Sequence, residues 1–161
     1  SFSPINPSFK ELAEKGDIFT TRQDQNILSH ISLMDCINPS SLLIRTSDSM
    51  DEVLQKFRNS NQNSMAVVHT DNQFWGVLNR EQLRPFLLNR ESAENTSVNE
   101  LLIAPPFVIS PTDSVMEVTK MFDEADVWQL PLLDENRAFK GFISRSKILT
   151  NYRALLKDYS E

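Results

Sequence analysis

The side chains best suited to chemistry in this chain lie in two short segments that share one pattern. Residues 76–82 and 141–147 each begin with glycine and two apolar residues, and each continues with a side chain that both donates and accepts hydrogen bonds. The second segment adds Arg145 and Lys147, whose positive charges attract phosphate. These residue types predict recognition of an anion, with Ser144 as the accompanying hydroxyl group.

Each of these polar side chains also has a structural interpretation. Asn79 and Ser144 stand immediately before predicted helices, where they suit the N-cap position. We favour capping for Asn79 and leave both roles open for Ser144. Arg145 and Lys147 equally suit a solvated helix start, although a cation there faces the positive end of the helix dipole.

Catalytic and metal chemistry find no support in the residue types. The chain has two histidines, His30 and His69, and one cysteine, Cys36, with no Cys-x-x-Cys or His-x-x-x-His spacing that would indicate a metal site. Neither histidine adjoins a nucleophile turn, so no Ser–His–Asp set is proposed. Only three glycines occur, too few and too scattered for a Walker loop or a G-x-G-x-x-G turn. The sequence predicts neither an enzyme nor a metal site.

The composition is that of a globular domain. Of 161 residues, 40% are hydrophobic and 24% are charged. The net charge of −6 argues against a broad nucleic-acid-binding face. A single cysteine fits a reducing compartment, and no apolar stretch approaches a membrane span. Because the chain has neither a signal peptide nor an initiator Met, we expect a fragment of a larger protein.

The chain repeats itself with a period of 65 residues and no gap. Residues 46–83 and 111–148 share eight identities, and most of the other apolar positions exchange for apolar residues. Such a fixed period indicates two copies of one supersecondary unit, neither of which buries its hydrophobic face alone. We expect a pseudo-twofold domain with a cleft between its halves. The identities are Asp48, Ser49, Glu52, Val53, Phe57, Phe74, Gly76 and Arg80 in the first copy.

The periodicity predicts a β-α-β-β-α order in each copy, and therefore an α/β (α+β) fold. In the first copy we expect strands at 42–44, 65–68 and 74–78, a helix starting after Thr46–Ser49, and a second helix at 80–89 despite Pro85. In the second copy we expect strands at 107–109, 130–133 and 139–143, a helix with buried positions from Val115 to Phe122, and a longer terminal helix. Turns are predicted at Asp71-Asn72 and at 134–137, and a linker helix at 25–37.

The domain limits follow from this order. Residues 1–31 form a partly helical linker with an extended lead at 1–9, and 32–89 form the first repeat. Residues 90–96 are a polar joint without apolar periodicity, and 97–161 form the second repeat with its C-terminal helix.

The paired pattern resembles the CBS domain, the module named after cystathionine β-synthase. The carrying features are an opening strand, a Thr/Ser-rich helix start, a β-hairpin, and a final Gly-h-h-(Ser/Thr)-x-x-Asp motif, where h is apolar; that motif corresponds to 76–82 and 141–147 here. Two copies in one register resemble a Bateman module over about 32–155. The resemblance implies that the cleft holds an adenine nucleotide such as ATP, ADP or AMP as a regulatory ligand, with no required cofactor. The implied contact residues are Ile44, Val67, Asn79, Gln82, Phe107, Pro131, Ser144, Arg145 and Lys147.

The sequence departs from the family motif at its last position. The family's Asp, which binds ribose hydroxyls, is Gln82 in one copy and Lys147 in the other. Glutamine still accepts a hydrogen bond, whereas lysine accepts none but attracts phosphate. The second repeat, which keeps the hydroxyl of Ser144, is the better candidate for an anionic nucleotide.

The flanks resemble the cytoplasmic region of bacterial chloride-channel/transporter (ClC) proteins. The similar stretches are 12–20, behind that family's last membrane helix, and 141–153, at the end of its cytoplasmic domain. This resemblance implies a cytosolic regulatory domain of an inner-membrane chloride channel or chloride/proton antiporter. Its partners would be a second copy, as a homodimer, and the transport domain of the same polypeptide, with no nucleic acid.

Two alternatives remain. The domain can be a structural dimerisation module without ligand, its clefts filled by Phe107, Trp128 and Lys147, or it can be a regulatory insert of a soluble enzyme. Trp128 and Trp75 suit a repeat or dimer interface better than stacking on adenine.

Overall fold

The fold is described by a computed structural model covering residues 22–39 and 42–160. The predicted lead at 1–9 and the ClC-like stretch at 12–20 lie outside these residues. The helices are α1 Arg22–Ser29, α2 Met50–Arg58, α3 Arg84–Leu88, α4 Arg90–Glu94, α5 Val115–Ala125 and α6 Arg145–Ser160. The strands are β1 Leu43–Arg45, β2 Ser64–Val68, β3 Phe74–Asn79, β4 Gln129–Leu133 and β5 Phe139–Ser144. Short 3₁₀ turns occupy Leu33–Cys36, Thr70–Asn72, Arg80–Leu83 and Val98–Leu101. The predicted mixed α/β class is confirmed. None of the described helices combines the length and the apolar character that crossing a membrane requires.

The two repeats start their first helices in the same way. The Ser49 side chain caps α2 by accepting the N–H of Glu52 at 3.2 Å, and the Ser114 side chain caps α5 by accepting the N–H of Glu117 at 3.1 Å. The two serines occupy equivalent positions of the repeat. Each cap satisfies one of the backbone N–H groups that a helix start leaves unpaired. These identities of the repeat are therefore explained by local structure.

The strands form a three-stranded sheet in the first repeat and a two-stranded sheet in the second. β1 pairs with β2 in parallel, with Ile44 opposite Val67, and β2 pairs with β3 antiparallel. The predicted strand at 107–109 is wrong, because only Ile109 forms a bridge, with Leu132. The Ile109 N–H donates to the carbonyl of Pro131 at 2.8 Å, but proline has no N–H to return. The equivalent residue in β2 is Ala66, so the first repeat keeps its full ladder.

The predicted hairpin turns are confirmed. Asp71 and Asn72 have φ values of 59° and 58°, in the left-handed region that Asp and Asn tolerate best among non-glycine residues. In the second turn, an Asp134 carboxylate oxygen accepts the N–H groups of Asn136 and Ala138, both at 2.9 Å.

Two helix predictions had the wrong limits. The linker helix expected at 25–37 ends at Ser29, and the chain re-enters a 3₁₀ turn at Leu33–Cys36. The helix expected at 80–89 begins as a 3₁₀ turn and becomes α-helical only at Arg84, where Pro85 fits the first helical turn because its missing N–H is not needed. The joint at 90–96 contains α4, whose Ala93 is 1% exposed.

The described chain forms two compact units that cut across the order of the repeats. Unit 1 contains 22–38, 107–132 and 142–160, and unit 2 contains 39, 42–106 and 133–141. Each unit has its own hydrophobic core. The unit 1 core includes Ile27, Leu28, Cys36, Ile109, Val118, Phe122, Leu130, Leu132, Ile143, Ile148 and Tyr152. The unit 2 core includes Ile44, Met50, Val53, Leu54, Phe57, Met65, Val67, Leu78, Leu83, Ala93 and Val98.

The segment leading into each repeat packs with the strands of the other repeat. In unit 1 the Asn38 N–H donates to the Phe142 carbonyl at 2.9 Å. In unit 2 the Ile103 N–H donates to the Val77 carbonyl at 2.8 Å, and these two bonds occupy equivalent positions of the repeat. Gly76 permits the close approach, because a Cβ there would lie 3.3 Å from the Ile103 carbonyl oxygen. The exchange explains why the units do not follow the chain order.

Candidate functional site

The polar residues of the first repeat's motif are bonded to one another and to the backbone of unit 2. The Asn79 N–H donates to Gln82 Oε1 at 3.0 Å, and Gln82 Nε2 donates to the Leu101 carbonyl at 2.6 Å. Asn79 Oδ1 accepts the Ser64 hydroxyl at 2.7 Å. Asn79 occupies the N-cap position of the turn Arg80–Leu83.

The apolar candidates of the first repeat lie in the core. Ile44 and Val67 are directly paired across β1 and β2, and both side chains are completely buried. The structure therefore brings these two residues together, and it uses their side chains to fill the core of unit 2.

Ser144 and Lys147 lie at the start of α6 in unit 1, and both are half-buried. Ser144 Oγ is 2.8 Å from Ser146 Oγ and 3.4 Å from the Lys147 N–H that points towards it, so Ser144 acts at the helix start. Within 22–39 and 42–160 the Lys147 ammonium has neither a hydrogen bond nor an ion pair. Of the two candidate cations Arg145 and Lys147, Lys147 is the one whose charged group has no partner among these residues.

Arg145 is placed very differently from Lys147. Arg145 as a residue is only 5% exposed, so the expectation of a solvated helix start is wrong for this residue. The guanidinium carbon lies 5.0 Å from the ring centre of Trp128 and 5.8 Å from that of Phe122. One guanidinium nitrogen lies 3.5 Å from the Phe122 carbonyl and 3.4 Å from a carboxylate oxygen of Asp126. The guanidinium of Arg145 thus lies within cation–π distance of two aromatic rings.

The equivalent arginine of the first repeat makes the same type of contact. Arg80 lies 5.3 Å from the ring centre of Phe57, and its guanidinium donates to the carbonyls of Ser60 and Gln62, both at 2.7 Å. An arginine stacked on the phenylalanine of the preceding helix is therefore a structural feature of both repeats. It accounts for two of the identities between them.

Phe107 and Pro131 are the remaining candidates in unit 1. Pro131 is buried in β4, and its carbonyl accepts the Ile109 N–H. Phe107 is half-buried and packs against the unit 1 core. These two residues and Ser144 and Lys147 all belong to unit 1, whereas Ile44, Val67, Asn79 and Gln82 all belong to unit 2.

A buried thiol lies beside Lys147. Cys36 is 0% exposed, and burial raises the pKa of its thiol, an effect that the side chain of Asn151 and the charge of Lys147 partly oppose. Asn151 Nδ2 lies 3.5 Å from both the Asp35 carbonyl and Cys36 Sγ. The turn Leu33–Cys36 is thereby attached to α6.

The two tryptophans are surface residues. Trp128 is 68% exposed and covers Arg145 with one face, and Trp75 is 48% exposed on β3. The ring of Trp75 also contacts His69, with ring centres 5.1 Å apart. Neither histidine has metal-ligating neighbours, and no group of His, Cys, Asp and Glu able to hold a metal occurs in the described part of the chain.

A cleft of about 370 Å³ lies in unit 2, at the start of α2 beside α4. It was not predicted from the sequence. Asp48, Asp51 and Glu94 contribute carboxylates to it, so an anionic nucleotide is disfavoured there. The Thr46–Ser49 segment indicated only a helix start, and the contribution of α4 required knowledge of the tertiary fold.

Comparison with known proteins agrees with this geometry. The family model for the CBS domain matches 33–89 and 98–154. No curated protein sequence matches the chain. Similar solved structures include CbpB in complex with c-di-AMP (TM-score 0.69, 15% identity, 86% of this chain and 95% of that chain) and CbpB from Streptococcus agalactiae (0.67, 16%, 99% and 94%). CBSX2 in complex with AMP is also similar (0.63, 18%, 80% and 98%). At these identities the likeness establishes the fold alone. Because the family model covers most of the chain in two copies, this protein belongs to the CBS domain family as a tandem CBS pair.

Proposed function

We propose that this chain is a regulatory CBS pair that binds an adenine nucleotide beside the start of α6 in unit 1. The observation that carries the proposal is the Lys147 ammonium, which has no hydrogen bond or ion pair to any residue within 22–39 and 42–160, three positions after the Ser144 hydroxyl at the start of α6 and in the same unit as the half-buried Phe107. Structures with the same fold include a c-di-AMP complex and an AMP complex. Arg145 is left out of the site because it is buried and its guanidinium contacts the rings of Phe122 and Trp128.

The physical task of such a domain is regulation. A ligand shifts a conformational equilibrium only by the difference between its affinities for the two states. The cation that receives the nucleotide phosphate lies in the first turn of the 16-residue helix α6, so binding can act on the position of this whole helix. No catalytic step is assigned to this site.

The wider setting is also proposed. The ClC-like stretches at 12–20 and 141–153 support attachment to a chloride channel or chloride/proton antiporter, as a cytoplasmic domain of an inner-membrane protein. Leu87 and Leu88 of α3, which are 49% and 95% exposed, offer apolar surface that supports a homodimer. A sequence of the full gene with about ten apolar helices upstream would agree with this setting, and a soluble enzyme barrel upstream would contradict it.

Calorimetric titration with ATP, ADP and AMP tests the nucleotide proposal. We expect heat of binding for the wild type and at least about tenfold weaker ATP binding for Lys147→Met, because a charge-assisted contact with phosphate is lost. Lys157→Met, which removes an exposed lysine further along α6, is the matched control and should bind as the wild type. Flat heats for all three nucleotides at millimolar concentration would overturn nucleotide binding.

The second candidate function is a structural dimerisation domain without ligand. The observation that favours it is the internal bonding of Asn79 and Gln82, which withdraws the first repeat's polar atoms from solution. Flat titration heats together with a stable dimer in sedimentation would favour this function.

A further inference from the structure

The Gln82 side chain links two backbone segments of unit 2 by hydrogen bonds. Its amide accepts the Asn79 N–H with Oε1 and donates to the Leu101 carbonyl with Nε2, so both of its polar atoms are used. Leu101 ends the 3₁₀ turn Val98–Leu101, which leads into the second repeat. The side chain at position 82 therefore holds this leading turn against the end of β3. An aspartate at this position lacks the N–H groups that make the second bond.

The same task is performed by a different residue in unit 1. The turn equivalent to Val98–Leu101 is Leu33–Cys36, and the residue equivalent to Gln82 is Lys147. In unit 1 the residue that links the leading turn to α6 is Asn151, one helical turn after Lys147. Its amide nitrogen approaches the Asp35 carbonyl and Cys36 Sγ. Lys147 lies beside the same turn without a hydrogen bond or ion pair to any residue within 22–39 and 42–160.

We propose that the chain binds a single adenine nucleotide, through its second repeat. In the first repeat the Gln82 amide is bonded to the backbone and is not available to a ligand. In the second repeat Asn151 makes the equivalent contact with the leading turn, so Lys147 is available to a ligand. This inference rests on the proposed function of unit 1 and adds the stoichiometry and the chemistry of recognition. A ribose hydroxyl approaching Gln82 has to displace the Asn79 N–H or the bond to Leu101. An approach to the Lys147 ammonium displaces no hydrogen bond from that ammonium to a residue within 22–39 and 42–160.

The replacement of a carboxylate by Lys147 also changes which part of the nucleotide is recognised. Lysine has three donors and no acceptor, so it contacts phosphate oxygens and gains nothing distinctive from ribose hydroxyls. Affinity should therefore rise from adenosine to AMP to ATP, and it should fall as salt screens the charge.

Titration of the wild type and two matched variants, Gln82→Met and Lys147→Met, tests the inference with ATP and adenosine as ligands. We expect about one ATP per wild-type chain, at least about tenfold weaker ATP binding in Lys147→Met, and ATP affinity within about twofold of wild type in Gln82→Met. Hydrogen exchange supplies a second measurement, because Gln82→Met should speed exchange in the turn Val98–Leu101 while leaving Leu33–Cys36 unchanged.

The possible failures are distinguishable. A stoichiometry of about two, or a loss of ATP affinity in Gln82→Met as large as in Lys147→Met, overturns this inference while nucleotide binding itself stands. Unchanged hydrogen exchange at Val98–Leu101 in Gln82→Met would show that Gln82 does not hold this turn in place. Flat heats with the wild type overturn the proposed function as a whole.

Discussion

Replacing Arg145 by alanine tests whether ring stacking or ion pairing holds the start of α6 in unit 1. The guanidinium carbon lies 5.0 Å from the ring centre of Trp128 and 5.8 Å from that of Phe122, and the Arg145 side chain is 6% exposed. Its ion-pair partner Asp126 is 84% exposed, and the charged atoms are 3.4 Å apart. The two types of contact therefore experience very different solvent screening.

The magnitudes favour stacking. Each cation–π contact contributes about 0.5–2 kcal/mol, and a hydrogen bond from a charged donor contributes about 1.5–3 kcal/mol when its geometry is good. The bond to the Phe122 carbonyl is long at 3.5 Å, and the cost of burying the charge offsets part of the gain. We expect Arg145→Ala to lower the free energy of unfolding by about 2–3 kcal/mol. The exposed pair with Asp126 contributes at most about 1 kcal/mol.

Urea denaturation of Arg145→Ala beside Asp126→Asn measures the difference. Asp126 has a φ of 51°, in the left-handed region, and asparagine tolerates that conformation, so the control removes only the charge. A Trp75→Phe background leaves Trp128 as the single tryptophan, so fluorescence reports on the stack itself. In thermal unfolding the expected loss corresponds to about 4–12 °C in Tm.

Two results would refute this reasoning. If Asp126→Asn destabilises the protein as much as Arg145→Ala, the ion pair dominates despite its exposure. If Arg145→Ala costs less than about 0.5 kcal/mol and leaves Trp128 emission unchanged, the stack contributes nothing to the fold.

Three further predictions concern single groups. Burial raises the pKa of the Asp48 carboxyl, but hydrogen bonds from a backbone N–H and from Lys56 more than compensate, so its folded-state pKa lies below the ordinary value. The contribution of Asp48 to the free energy of unfolding is present above the unfolded-state pKa of about 3.9 and is lost as pH falls through the lower folded-state pKa. Asp48→Asn should therefore reduce the fall of the urea-derived free energy of unfolding at acid pH. An unchanged dependence on pH would contradict this. Cys36, whose thiol pKa is raised by burial, should react with Ellman's reagent at pH 8 at least about tenfold more slowly in the native chain than in urea, and equal rates would show that the thiol is accessible. The Tyr152 hydroxyl donates to Asp24 in a buried contact between α6 and α1, so Tyr152→Phe should cost about 1.5–3 kcal/mol and speed hydrogen exchange in α1; unchanged exchange would mean that apolar packing alone holds this helix.

The features that sequence reasoning predicted well are local. The helix starts at Ser49 and Ser114 and the turn at Asp71-Asn72 depend on side chains bonding to backbone a few residues away. The repeated elements follow in the same way, because apolar spacing within a helix or strand is visible in a short window of residues. The CBS pair itself was recognised from two such windows in one register.

The errors arise where a distant residue decides the outcome. Ile109 forms a single bridge because Pro131, more than twenty positions later, lacks an N–H. Arg145 was interpreted as a phosphate contact or as part of a solvated helix start, whereas it is buried beside Phe122 and Trp128. Gln82 was assessed against a ligand, whereas its partner is the Leu101 carbonyl.

The amino-acid sequence was sufficient to show that the chain holds two copies of one supersecondary unit, with the hydrophobic spacing, caps and turn residues of its helices and hairpins. Three features required the folded chain: the bonding of the segment that leads into each copy to a strand of the other copy, the burial of Arg145 beside two rings, and the use of the Gln82 amide by the backbone. The difference lies in the separation along the sequence between the residues that interact. Helices and turns are stabilised by bonds between residues a few positions apart, whereas the burial of a charge and the partner of an amide depend on chain segments that meet only after folding.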